Sequence, residues 1–464
     1  MSSATEAAAT IDAVHRILDV ELDGRTGDRA HLEHVLGVID LLFHRAVLRD
    51  LTPIRRAGAD ERLAEIVRPM VPGGPVDPFR AVAEQAPAVI AAGKAQAAGT
   101  ATVLRLLAGT DLPELGSAAP PELAARESVA MNWLGTSAGA EIAEADMDSY
   151  LRSRFGDEVT VRAATRLSGG FSKTTILVDM DRAGTREEIV LRQITPGRDS
   201  HTLVHEYNVL EFAWKRGVDV AEPLWIEPEQ NPLGQPFFAS RRAAGSNLGD
   251  VFGPDEGTDP GAGLELARAL GTLHSIELTG LPATPVPAMS SAAELLAAID
   301  EQEQLVAAAA RAAGAGTEPL PALLFAWLRA HVPDTLAAPV LLHGDPGFHN
   351  ILVHDGSLTA LLDWERARVG EAAQDLAYVR PHVSRVQPWE DFLAAYCAAG
   401  GEPPDEERMR FYSVWHETWR FVGAYRGLGR LLSQPRSLLD GVLGLLHAPR
   451  FLHAGLENAF EVTL

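Results

Sequence analysis

One short stretch of the chain holds the residues best suited to chemistry. In LLHGDPGFHNILVHDGSLTALLDWERARVGEAAQDLAY, Asp345 and Asn350 stand five positions apart on a loop between two apolar, strand-like flanks, and Asp363 ends the hydrophobic run TALL. Phosphoryl transfer asks little covalent chemistry of a protein. It needs a carboxylate to orient an attacking hydroxyl and oxygen ligands to hold magnesium on nucleotide phosphates, and Asp345, Asn350 and Asp363 provide that set. Taken singly, the HGD would serve as a turn and Asp363 as a helix cap; their combination at this distance points to phosphoryl transfer. Upstream, Leu167-Ser168-Gly169-Gly170-Phe171-Ser172-Lys173 reads as a turn between two strands. Its glycines let backbone N–H groups approach phosphate oxygens with no Cβ in the way, although a glycine pair between strands also makes an ordinary hairpin.

The elements that must position these residues are legible around them. After about Asp157, VTVRAATRL, TTILVDM and EEIVLRQI are short β-branched segments separated by glycine-containing turns, followed by a helical stretch from Ser200 to Arg216. PLWIEPE and QPFFASRR would complete a five-stranded sheet. Beyond Gly245 the pattern is helical at about 260–278, 291–313 and 319–331, interrupted by a strand-and-loop unit from Val340 to Trp364. The expected fold class is α+β, with a small nucleotide-binding lobe over 150–244 and a mainly helical catalytic and acceptor-binding lobe over 245–464.

Residues 1–140 read as an additional N-terminal helical domain. Leu32, Leu36, Ile39, Phe43 and Val47 recur at helical spacing, a second series runs from Ala81 to Leu107, and 108–128 is a Pro-, Gly- and Ser-rich linker. His31, His34 and His44 lack the glutamate and third ligand that a zinc site would want, so a solvated or capping role is expected of them. The domain carries no nucleotide or catalytic motif. It would serve packing or homodimerisation, or cover the acceptor site.

Bulk composition narrows the partners. A chain of 464 residues fits two to three domains, and no stretch approaches the roughly 20 apolar residues of a membrane span. The N-terminus lacks a basic region followed by an apolar run, and a single cysteine, Cys397, forms no internal disulfide. A cytoplasmic protein is expected, with Cys397 as a small buried apolar residue. The formal charge of −23 argues against nucleic acid and anionic membranes as partners. Any polyanionic ligand needs a local basic pocket.

HGDPGFHN resembles the HGD-x-x-x-x-N loop of the aminoglycoside phosphotransferase and choline kinase superfamily, and LLDWE resembles its metal-binding segment. The likeness covers about residues 155 to 400 and implies a protein-kinase-like two-lobed fold using ATP and Mg²⁺. It implies Asp345 as the catalytic carboxylate, Asn350 and Asp363 as magnesium ligands, and His343 and Asp375 as braces of the loop. Ser168, Gly169, Gly170 and Ser172 would lie over the nucleotide. Arg192, in VLRQ, stands where most relatives carry the lysine that contacts the α- and β-phosphates, as in the branch resembling kinase domains fused to acyl-CoA dehydrogenases. Arginine keeps the charge but replaces a point donor by a planar fork. Glu206 would pair with Arg192, or face solvent as an ordinary helical glutamate. Lys173 is the competing phosphate contact, of lesser weight, and backbone groups from Ala239 to Arg241 would face the adenine.

The expected acceptor is a small hydroxylated molecule, because only eleven residues separate Asp363 from Asp375, too few for a peptide-docking activation loop. Its candidate contacts are Arg380, His416, Glu417 and Arg420. Residues 408–432 form a helical pattern with Phe411, Trp415, Trp419 and Val422 on an apolar face, and with Arg408, Arg410, Arg420, Arg426 and Arg430 against one acid, Glu417. An excess of arginine suits an anionic acceptor such as a hydroxy acid or hydroxyacyl-CoA. An aminoglycoside or amino alcohol, and a nucleotide-binding pseudokinase, are the alternatives.

Overall fold

The computed structural model describes residues 143–461, apart from 168–172, 195–199, 251–252, 284–286, 313–318 and 434–446. The N-terminal helical domain, its three histidines and the linker lie outside the described residues, as do Ser168, Gly169, Gly170 and Ser172. Helix α1 (Glu144–Phe155) leads into β1 (Val159–Leu167), β2 (Lys173–Arg182) and β3 (Thr185–Ile194), followed by α2 (His201–Trp214), β4 (Pro223–Glu227) and β5 (Phe237–Arg241). The five strands form one antiparallel sheet in the order β1-β2-β3-β5-β4, as the strand-like segments imply. Alternation decides its faces. Ile176, Val178 and Met180 of β2, with Ile189 and Leu191 of β3, turn to one side and pack with Met147, Tyr150 and Leu151 of α1 and with Phe237. Thr175 and Arg192, opposite each other in the register, belong to the other face, where the Arg192 guanidinium donates to Thr175 Oγ1 at 3.2 Å.

After a two-strand ribbon, β6 (Gly249–Asp250) and β7 (Gly253–Pro254), comes α3 (Pro260–Ser275), capped by Asp259, whose carboxylate accepts from the Gly261 N–H at 2.6 Å. Helices α4 (Ala292–Ala312) and α5 (Pro319–Ala330) follow. The catalytic segment is β8 (Val340–Leu342), a single 3₁₀ turn at Phe348–Asn350, the hairpin β9 (Ile351–His354) and β10 (Ser357–Leu361), a second 3₁₀ turn at Trp364–Arg366, and β11 (Arg368–Gly370). The chain continues through α6 (Ala373–Val383), α7 (Trp389–Ala398), α8 (Glu406–Ser433) and α9 (Ala448–Phe460). Among the described residues no helix is long and apolar enough to cross a membrane.

The described chain gathers into two compact units. One unit holds the sheet and the catalytic segment, over 135–291 and 335–405. Backbone pairings far apart in sequence tie it together: Val220 bridges to Leu361, Ser246 to Val353 and Met289 to Gly370. The described parts of 292–334 and 406–464, helices α4, α5, α8 and α9, belong to the other unit. Phe411, Trp415 and Val422 of α8 are buried there, as the apolar pattern requires. One expectation is overturned. Cys397 is exposed, because α7 buries Trp389, Phe392 and Tyr396 at helical spacing and the following position turns away from that face.

Candidate active site

The loop bearing Asp345 is held from beneath by α6. Asp375, fully buried, accepts the backbone N–H of His343 at 2.7 Å and that of Gly344 at 2.9 Å. Its second partner is His274 of α3, whose Nε2 lies 3.2 Å away and whose Nδ1 lies 2.9 Å from the Tyr396 hydroxyl. Burial works against the Asp375 charge. His274, His343 and the Gly344 amide outweigh it, and its carboxyl sits below the usual range. Gly344 has φ of 85°, and a Cβ there would come within 2.5 Å of the Arg366 carbonyl oxygen, so the glycine of the HGD is required by both conformation and space. His343 is buried against Trp364, with ring centroids 4.7 Å apart, and burial lowers its pKa against the pull of Asp375, Asp345 and Asp363.

The Asp345 carboxylate has three neighbours that spacing did not single out. His349 Nε2 is 3.6 Å away, Arg366 Nε is 3.8 Å away, and the Tyr378 hydroxyl donates to it. Burial alone would raise this carboxyl; His349, with Arg366 and Tyr378, holds it well below the usual carboxylate range. His349 reaches it by lying over Gly347, where any Cβ would strike the imidazole at 2.4 Å. Asn350, buried, donates its side-chain amide to the Asp345 carbonyl at 2.9 Å, which leaves the amide oxygen as the group it can offer a metal.

Asp363 sits in the left-handed region, at φ 65° and ψ 68°, a conformation a non-glycine residue adopts at a cost. Its buried Oδ1 takes no aligned hydrogen bond, although Arg192 lies 3.1 Å and Lys173 3.9 Å from it. The Leu362 N–H donates to the Asn350 carbonyl at 2.8 Å and so joins the two segments; an amide oxygen and a carboxylate are a hard, all-oxygen donor set, of the kind that suits a Mg²⁺ ion.

The cations differ most from expectation. Glu206 is buried, not solvent-facing, and its nearer partner is Lys173 at 2.7 Å, with Arg192 at 3.8 Å. Lys173 also reaches Glu365 at 2.5 Å. Burial would lower the Lys173 pKa, but Glu206, Asp363 and Glu365 together raise it. Glu206 thus pairs with Arg192 as expected, and more closely with Lys173, which the sequence marks only as a phosphate contact. Lys173 opens β2 across the ladder from Ile194, so the closest cation to the α2 glutamate enters from β2 and not from Arg192 on β3. In a double-mutant cycle on stability, Lys173 and Glu206 are expected to show a coupling of about 1–3 kcal/mol, larger than that of Arg192 with Glu206; equal couplings would contradict this placement.

The remaining expected residues fall elsewhere. Ala239 is a buried residue of a strand paired on both sides. Arg241 donates its backbone N–H to the Glu222 carbonyl at 2.8 Å, while its guanidinium pairs with Glu222 at 2.7 Å and Glu187 at 3.6 Å. Arg380 of α6 lies over the Trp389 ring at 5.6 Å. His416, Glu417 and Arg420 are on α8, in the second unit, where His416 is buried and Arg420 pairs with Glu417 at 3.0 Å. Burial pushes the Glu417 carboxyl up, against Arg420 and Arg450.

A family model described as the phosphotransferase enzyme family, APH, matches residues 163–412. Among curated proteins, acyl-CoA dehydrogenase family member 11 of Mus musculus is 22% identical over 315 residues, covering 62% of this chain and 39% of that protein. Acyl-CoA dehydrogenase family member 10 of Mus musculus is 26% identical over 200 residues, covering 41% of this chain and 18% of that protein. The chain spans less than half the length of these curated relatives. Among solved structures, a Ralstonia eutropha protein assigned as an aminoglycoside phosphotransferase is similar with a TM-score of 0.54 at 17% identity, covering 70% of this chain and 100% of that one. The fold is accordingly the α+β, protein-kinase-like fold of that class. With the family model spanning more than half of its residues, the catalytic segment included, the chain belongs to the phosphotransferase enzyme family.

Proposed function

We propose that this chain is a small-molecule kinase that transfers the γ-phosphoryl group of ATP, with Mg²⁺, to a hydroxyl of an anionic acceptor such as a hydroxy acid or hydroxyacyl-CoA. The observation that carries the reading is Asp345, an ionised carboxylate on a loop clamped by Asp375, five residues before Asn350 and in one compact unit with Asp363. Asp345 orients the acceptor hydroxyl and receives its proton as the oxygen bonds to phosphorus; a carboxylate of such low basicity acts chiefly through position. His349, Arg366 and Tyr378 fix its direction. Asn350 and Asp363 would hold the metal, and Mg²⁺ when bound neutralises charge on the phosphates. Arg192, partly exposed on the sheet face, supplies a fork of donors for phosphate oxygens.

Support for an anionic acceptor comes from the curated relatives, which carry acyl-CoA dehydrogenase names. The arginines of α8 support it less than their number suggests. Arg410 donates to the carbonyls of Asn458 and Ala459 and pairs with Glu461 at 3.0 Å, and Arg420 pairs with Glu417, so both serve helix packing. ATP consumption with 4-hydroxyacyl-CoA beside kanamycin-type aminoglycosides is the test. Turnover is expected with the thioester; efficient phosphorylation of the aminoglycoside with none of the thioester would reverse the ranking of acceptors.

A further inference from the structure

Three carboxylates from two separate parts of the chain converge on the Lys173 ammonium: Glu206 of α2 at 2.7 Å, and Glu365 at 2.5 Å and Asp363 at 3.9 Å from one short segment. One oxygen of each lies within 4.8 Å of the other two, a spacing that could hold a metal ion. Arg192 meets the same cluster from its edge, with 20% of its side chain exposed against 2% for Lys173. Two cations of different shape therefore do different work. The compact ammonium fills the centre, and the planar guanidinium stays at the rim.

We propose that Lys173 is a built-in cation that occupies the Glu206–Asp363–Glu365 centre and keeps a divalent ion out of it, leaving Arg192 as the cation that faces the nucleotide. Only the last clause rests on the kinase reading. An ammonium bonds carboxylate oxygens at roughly 2.7–2.9 Å, whereas Mg²⁺ demands about 2.0–2.1 Å and near-octahedral geometry. The distance to Glu206 fits an ammonium, and Lys173 also donates to Glu365. The lysine thus ties α2 to the metal-binding segment without adding a second divalent charge beside the ion assigned to Asn350 and Asp363. Lys173 acts as a positioning residue through Glu206 and Glu365. Without it, buried Glu206 loses its nearer counter-charge and Glu365 loses an ion pair, with Arg192 alone left at the rim, and a divalent ion is the simplest group to replace the ammonium.

The test is Mn²⁺ binding to the nucleotide-free full chain, followed by electron paramagnetic resonance. Lys173→Met is expected to gain one Mn²⁺ site, at least about 10-fold tighter than any in the wild type, because three acidic ligands then face one another with only Arg192 at their edge. Lys173→Arg, which keeps the charge, should gain none, and Lys173→Met with Glu206→Gln should lose the gain. If Lys173→Met is unstable, millimolar Mn²⁺ should raise its melting temperature and leave that of the wild type unmoved. No extra Mn²⁺ in Lys173→Met, an equal gain in Lys173→Arg, or a Lys173→Met chain that stays unfolded in Mn²⁺ would each overturn the proposal. Because no nucleotide enters the titration, its failure and a failure of the wild type to bind Mg·ATP are separate results.

Discussion

Asp345→Asn is expected to lower phosphoryl transfer by roughly 10² to 10⁴-fold while leaving Mg·ATP affinity within a few-fold of wild type. The amide is nearly isosteric but cannot take the proton of the acceptor hydroxyl. The loop should survive the change, since its braces are backbone groups: the N–H groups of His343 and Gly344 bonded to Asp375, and the Asp345 carbonyl bonded to Asn350. The substitution does remove the charge that His349 and Arg366 face, so a small change in stability is expected beside the large one in rate. Single-turnover kinetics with a fluorescent ATP titration separates the two. Transfer within a few-fold of wild type would remove Asp345 from the chemistry.

Asp363→Ala should be as damaging by a different route. Mg·ATP binding is expected to weaken by at least about 10-fold, and metal-free ATP binding much less or not at all, because the carboxylate acts on the ion and not on the nucleotide. The structure adds a complication that sharpens the comparison. Asp363 also lies 3.1 Å from Arg192 and 3.9 Å from Lys173, so its loss frees positive charge that could strengthen metal-free ATP binding. Calorimetric titrations with and without Mg²⁺ give the two affinities. Equal losses in both would make Asp363 a structural residue.

The parts legible in the sequence are those whose geometry is local. Asp345, Asn350 and Asp363 fall within 19 consecutive residues, and the hairpin of β9 and β10 between them is set by short-range pairing. The five sheet strands and α2 to α5 were readable because each is long enough to show a period. β6, β7 and β11 have two or three residues each and show none. The hub at Lys173 was hidden for another reason: its partner Glu365 is 192 positions away, and no spacing rule reports a contact made by tertiary packing. A lysine directly after a glycine turn, in a chain with three lysines, was the available signal. His349 and Arg366 were close to the motif, but irregular loops have no face to read, so their direction toward Asp345 came only with the fold. Ala239 and Arg241 look like a strand end in the sequence, whereas backbone bonds in the sheet continue through Arg241 and into Arg242.

The most direct measurement is transfer of label from γ-labelled ATP, with and without Mg²⁺, across hydroxyacyl-CoA thioesters, hydroxy acids, amino alcohols and aminoglycosides. Nucleotide binding should be titrated on the same preparation, with Asp345→Asn as the blank. The expected result is Mg²⁺-dependent label on a hydroxyl of one acceptor class, absent in Asp345→Asn, from a wild type that binds Mg·ATP. A wild-type chain that binds no Mg·ATP, or one whose transfer persists undiminished in Asp345→Asn, would contradict it.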